Sequence, residues 1–63
     1  MEEQIESVLD TYYNYVRPEI TDVSVLEASP NLGIYCIRWR HDGKTITVKS
    51  IITDSKISIT QLI

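Results

Sequence analysis

The chain has 63 residues and a formal net charge of −3, which we interpret as one small domain spanning residues 1–63. Its single cysteine, Cys36, excludes a disulfide within the chain, and its single histidine, His41, argues against a classical zinc site. No apolar run is long enough to span a membrane. With one cysteine and no signal peptide in its pattern, we expect a cytoplasmic protein.

The size and the charge distribution both bear on partners. At this length folding buries only about 60 % of the chain's surface, so we expect oligomerisation to supply part of the core. Residues 1–27 hold seven acidic residues against one arginine, a balance of −6, whereas residues 28–63 hold five bases against two acids, a balance of +3. An acidic half is therefore joined to a basic half.

The first predicted element is a helix over about residues 2–16. Its apolar stripe has helical spacing and comprises Ile5, Val8, Leu9, Tyr12 and Val16. Pro18 closes the pattern, because the residue before a proline is pushed out of the α region. Tyr13 is predicted to point away from this stripe. An exposed tyrosine suits an interface, since it offers a large contact area with a polar tip.

The rest of the chain predicts four strands. Val23 and Val25 alternate with a polar residue, and "ASPNLG" then gives a turn. A second strand runs over 34–40, and Asp42-Gly43 is the hairpin signal that leads to a third strand over 45–52. After "TDSK" the last strand covers 57–62. The predicted fold class is α+β, with an N-terminal helix packed on a four-stranded antiparallel meander (α-β-β-β-β).

The two hairpin loops fix which side chains share a face. The predicted inner face, which receives the helix, comprises Val23, Val25, Tyr35, Ile37, Trp39, Ile46, Val48, Ile52, Ile57 and Ile59. The predicted outer face pairs Arg40 with Thr45, Arg38 with Thr47, Cys36 with Lys49, and Ile34 with Ile51. Nothing in the chain is left to cover this outer face, and its mixed composition suits a partner surface.

No catalytic constellation emerges, so we expect a protein that is not an enzyme and that binds no cofactor or metal. Cys36 and His41 are five residues apart on one strand and point to opposite faces, which rules out a nucleophile–base pair. Neither of the two glycines belongs to a phosphate-cradling loop.

Two sets of outer-face residues remain as candidate sites. Candidate contacts to a partner or a phosphate are Arg38, Arg40, Lys49, Thr45 and Thr47. Candidate contacts in an oligomer interface are Ile34, Cys36, Ile51, Leu62 and Tyr13.

Several segments resemble one known family. These are "VLDTYY" leading to a proline, "DVSV", "YCIRW" and the hairpin "IITDSKISI". In these features the chain resembles the XisI-like excision-controlling factor family of cyanobacteria, although Ser55 stands where that family tends to have glycine. The resemblance implies a small α+β protein that self-associates beside a nuclease-like partner, and it carries no catalytic residues to transfer.

Three functions are consistent with these observations. The first is a non-enzymatic protein-interaction or regulatory module, homo-oligomeric, from a mobile-element or phage-like context. The second is a small nucleic-acid-binding domain that uses the basic outer face, which is disfavoured by the net acidic charge. The third is a viral inhibitor of host defence that acts by mimicry or by sequestering a ligand.

Overall fold

The structure, a computed structural model, describes all 63 residues. One helix, α1 (Glu2–Tyr12), precedes four strands: β1 (Thr21–Ser29), β2 (Ile34–His41), β3 (Lys44–Ile52) and β4 (Ile57–Leu62). The strands form one antiparallel sheet in the order β1-β2-β3-β4. The predicted α+β fold with α-β-β-β-β order is therefore confirmed.

Both predicted hairpin registers are confirmed. β2 pairs with β3 from Ile34–Ile51 to His41–Lys44, and β3 pairs with β4 from Thr47–Leu62 to Ile52–Ile57. The β2–β3 loop has positive φ at both Asp42 (51°) and Gly43 (77°), as a type I′ turn requires. Side chains on the two central strands consequently divide between the faces as predicted.

The helix ends four residues earlier than predicted. Asn14 and Tyr15 have φ of 53° and 65°, so the chain leaves the right-handed helix after Tyr12. Val16, predicted in the apolar stripe, is 80 % exposed. Tyr13, predicted to point away from the core, instead packs against it. The prediction for Val16 is wrong because positive φ at Asn14 and Tyr15 ends the helical period before it. The prediction for Tyr13 is wrong because its amide still bonds to the Leu9 carbonyl oxygen, so the last helical turn holds Tyr13 beside the buried stripe.

Strand β1 is irregular, which alters the predicted inner face. Register shifts occur between Thr21 and Ser24 and again between Val25 and Glu27. Val25 lies opposite the inner-face residue Ile37 and is half-buried, whereas Val23 is 42 % exposed, and neither valine is among the side chains that pack on the core. The prediction for Val23 is wrong because strict alternation fails where extra residues enter the strand.

The core lies between α1 and the inner face of the sheet. Its buried side chains are Val8, Leu9, Tyr35, Ile37, Trp39 and Val48. One polar residue is buried with them: Ser50, whose hydroxyl donates a hydrogen bond to the carbonyl of Tyr35 at 3.1 Å. Only 7 of the 63 residues are buried, so the core is one thin layer.

A short 3₁₀ turn, Pro30–Leu32, connects β1 to β2 and ends at Gly33. Gly33 has φ of 69°, and its carbonyl accepts a hydrogen bond from the Ile52 amide at 2.8 Å. A Cβ at this position would lie 2.3 Å from the Ile52 carbonyl oxygen. Only glycine therefore allows the connection to lie this close to the end of β3.

Candidate interaction surface

The outer face of the sheet, which α1 does not cover, carries the candidate residues. Side chains alternate along each strand, so residues paired across β2 and β3 form rows that cross this face. The rows differ in chemistry from one end of the strands to the other. We call Ile34, Cys36 and Ile51 the apolar end, and Arg38, Arg40, Thr45 and Asp22 the charged end.

The apolar end is centred on a directly opposed isoleucine pair. Ile34 pairs with Ile51, and Cys36 lies in the next row, opposite Lys49. Ile51 is 39 % exposed, and Ile34 and the free Cys36 are half-buried. These three predicted interface residues are therefore brought together on an uncovered face.

The other two predicted interface residues lie elsewhere. Leu62 is 42 % exposed on the edge strand β4, opposite Thr47, and so lies in the row of Arg38. Tyr13 is on the inner side of the sheet, where its hydroxyl accepts a hydrogen bond from Trp39 Nε1 at 2.9 Å. Tyr13 therefore does not contribute to the outer face.

The charged end forms a pocket of about 220 Å³ lined by Asp22, Arg38, Arg40 and Thr45. Arg40 donates hydrogen bonds to the Gly43 carbonyl at 3.1 Å and to the Thr45 hydroxyl at 3.5 Å. Of the other predicted contacts, Thr47 pairs with Arg38 and Lys49 with Cys36, and neither lines the pocket.

Asp22 is the pocket residue that sequence reasoning missed. Its φ of 57° and the neighbouring register shift bring it beside the arginines of β2. Regular alternation along "TDVSV" cannot predict such a shift. The only sequence signal is the residue type, because aspartate tolerates the left-handed region better than most residues.

The acidic residues of α1 lie on the other layer of the molecule. Arg17 forms ion pairs with Glu6 at 2.8 Å and Asp10 at 2.7 Å, which fold the segment after the helix back along α1. These hydrogen bonds, to Glu6 first and Asp10 second, raise the pKa of Arg17 above its ordinary value. The helix layer is thus acidic, and the arginine pair lies on the opposite side of the sheet.

Cys36 and His41 are separated as expected. Cys36 is on the outer face, whereas the His41 ring lies near Tyr13 on the inner side, with Nδ1 3.1 Å from the Glu19 carbonyl oxygen. No three side chains of His, Cys, Asp or Glu are grouped in a way that could hold a metal ion. The eleven-residue α1 is too short and too polar to cross a lipid bilayer.

Comparison of the chain with protein-family models, with curated proteins and with solved structures gives no match. The resemblance to the XisI-like family therefore stays a prediction.

Proposed function

We propose that this protein is a non-enzymatic interaction module that self-associates through the apolar end of its outer sheet face. The single observation that carries this proposal is the directly opposed Ile34–Ile51 pair at one end of a sheet face that no element of the chain covers. Burial of an isoleucine side chain contributes about 1.5–3 kcal/mol, and here that contribution is only partly used within one chain.

The thin core supports the same proposal. The chain exposes 4541 Å², whereas a folded monomer of 7.3 kDa is expected to expose about 4,200 Å². A second layer over the apolar end would give the small domain the additional burial that chains of this size usually need.

The occupant that we propose for this face is a second copy of the chain, because the opposed isoleucine pair of one copy can pack on the same pair of another. A two-fold axis across the strands, at the row of Ile34 and Ile51, would set each isoleucine of one copy against the same residue of the other, which is a self-complementary contact, and would point the two charged ends in opposite directions. The acidic helix layers would then lie on the outside of the pair, far from one another. Face-to-face packing of two sheets at about 30° is a common arrangement of this kind.

Native mass spectrometry and sedimentation velocity over a concentration series test the proposal. We expect the wild type to approach twice the 7.3 kDa chain mass. Ile51→Lys should remain at the monomer mass at all concentrations, because it places an ammonium group in the proposed contact. Ser7→Lys is the matched control, since it adds the same charge to an exposed helix position.

Two results would contradict the proposal. One is a wild type that stays monomeric at every concentration. The other is an oligomer whose mass Ile51→Lys leaves unchanged, which would place the contact elsewhere. The β4 edge would then be the first surface to test, because the segment "ISITQL" carries no charge to discourage strand pairing.

A further inference from the structure

The charged end of the outer face has features of a ligand site that self-association does not use. Arg38 and Arg40 are two residues apart on β2, so their guanidinium groups share one face. Thr45 lies opposite Arg40 on β3, and Asp22 comes from the irregular start of β1. The pocket between them has a volume of about 220 Å³ and is open to solvent.

The pocket holds its charges apart. Both ion pairs of the chain involve Arg17, so Asp22 and Arg38 line the same space without pairing. Arg40 is already held by its own hairpin, through Gly43 and Thr45. One guanidinium is therefore preorganised and the other is free to turn towards a ligand, which lowers the ordering cost of binding.

Two guanidinium groups and one carboxylate leave a net charge of +1, which favours an anion. A guanidinium binds oxyanions through two parallel N–H bonds. A carboxylate offers two coplanar oxygens and is satisfied by one such fork, whereas a phosphate monoester offers three terminal oxygens. Phosphate therefore matches both arginines and the Thr45 hydroxyl better.

The carboxylate of Asp22 further restricts the class of ligand that the pocket can bind. A carboxylate in the wall repels a bare polyanion, but it accepts hydrogen bonds from a donor on the same molecule. We propose that the charged end binds a small phosphate monoester that carries hydroxyl groups, with Arg38 and Arg40 on the phosphate and Asp22 on a hydroxyl. This site is separate from the self-association proposed above, because it uses none of the apolar-end residues.

NMR titration of the amide and arginine side-chain signals at constant ionic strength tests the site. The probes are glycerol phosphate, methyl phosphate, which lacks hydroxyl groups, and glycerol, which lacks the phosphate. We expect saturable shifts at the pocket with both phosphates, tighter binding of glycerol phosphate, and no binding of glycerol. A single-stranded oligothymidylate is the nucleic-acid arm, and it should bind more weakly per phosphate.

Three variants assign the roles. Arg38→Ala should weaken binding of both phosphates roughly tenfold or more, since it removes charge-assisted hydrogen bonds. Lys49→Ala, which removes a positive charge from the same face outside the pocket, should leave the affinity nearly unchanged. Asp22→Gly keeps a residue suited to positive φ, removes the hydrogen-bond acceptor and should abolish the preference for glycerol phosphate over methyl phosphate.

Several results would overturn the proposal. Absence of saturable shifts with either phosphate would do so, as would equal losses in Arg38→Ala and Lys49→Ala, which indicate diffuse attraction. If the oligothymidylate binds more strongly per phosphate than glycerol phosphate, and Lys49→Ala weakens that binding as much as Arg38→Ala does, the face would be assigned to nucleic acid instead. A preference for glycerol phosphate that survives Asp22→Gly would exclude Asp22 from the site.

Discussion

Trp39 shows how single residues position the core. Its indole is fully buried and contacts Tyr12 and Tyr13 edge-on, with ring centroids 5.1 and 6.1 Å away. The indole N–H would be unsatisfied in this environment without the Tyr13 hydroxyl that accepts it. Tyr13 directly follows α1 and its amide bonds to the Leu9 carbonyl oxygen, so the last turn of the helix holds its ring against Trp39.

Tyr13→Phe should therefore destabilise the protein by about 1–3 kcal/mol, because it leaves a buried donor without a partner. Tyr12→Phe is the matched control, since the Tyr12 hydroxyl bonds the exposed Gln61 side chain. Its loss should cost less than about 0.5 kcal/mol. Urea unfolding followed by Trp39 fluorescence measures both values, and equal costs would contradict the role given to the Trp39–Tyr13 bond.

The two glycines should differ in their tolerance of alanine. Both have positive φ, which costs a non-glycine residue about 1–2 kcal/mol. At Gly43 an added Cβ meets nothing within 4 Å, but at Gly33 it meets the Ile52 carbonyl. Gly33→Ala should therefore lower the free energy of unfolding clearly more than Gly43→Ala. Thermal unfolding of the two variants compares them, and similar losses would show that the connection yields without strain.

At the scale of elements, the β2–β3 hairpin is the best-determined part of the fold. Its turn residues, its alternation and its pairing all favour one register, and a slip by one residue would exchange the faces of every side chain. The helix depends more on tertiary contacts, because an isolated helix of eleven residues is only marginally stable in water. Its stability comes from packing Val8 and Leu9 on the sheet. The ion pairs of Arg17 with Glu6 and Asp10 also attach the segment after the helix to α1.

Arg17→Gln tests how much these ion pairs contribute to the free energy of unfolding. Both partner carboxylates are well exposed, at 55 % for Glu6 and 41 % for Asp10, so screening by solvent keeps the contribution small. We expect a loss of no more than about 1 kcal/mol in low salt that diminishes as salt is added. Arg38→Gln, which removes an arginine without an ion-pair partner, should change the free energy of unfolding little. A salt-independent loss in Arg17→Gln would point to packing of the aliphatic stem instead.

The same elements show what a sequence of this kind can predict. The central hairpins and their faces followed from turn residues and period-two alternation, which are local signals. The early end of α1 and the exposure of Val23 did not, because both depend on positive φ at Asn14, Tyr15 and Asp22, residues that give no strong local signal. The predicted contacts include three of the pocket residues, Arg38, Arg40 and Thr45, but not Asp22, since Asp22 reaches the pocket through the irregular pairing of β1.

At the scale of the whole molecule, the protein is two layers with different surfaces. The helix layer is acidic, and the sheet presents an apolar end and a charged end to solvent. If the apolar end is covered by a second copy, the folded state is stabilised by mass action, and the melting temperature should rise with protein concentration.

Thermal unfolding over a concentration series checks this consequence. The wild type should show a rising melting temperature, and Ile51→Lys should melt at one temperature throughout. Ser7→Lys should follow the wild type. A wild type whose melting temperature is independent of concentration would mean that association contributes nothing to stability.

The most direct test of self-association uses Cys36, the only cysteine and a residue of the apolar end. The rate of its alkylation by iodoacetamide can be measured in the unmodified protein at increasing protein concentration. The proposed contact predicts that the rate constant falls as the chain associates, and that Ile51→Lys shows no such fall. A wild-type rate constant that is the same at all concentrations, in samples shown to be associated, would contradict the proposed interface.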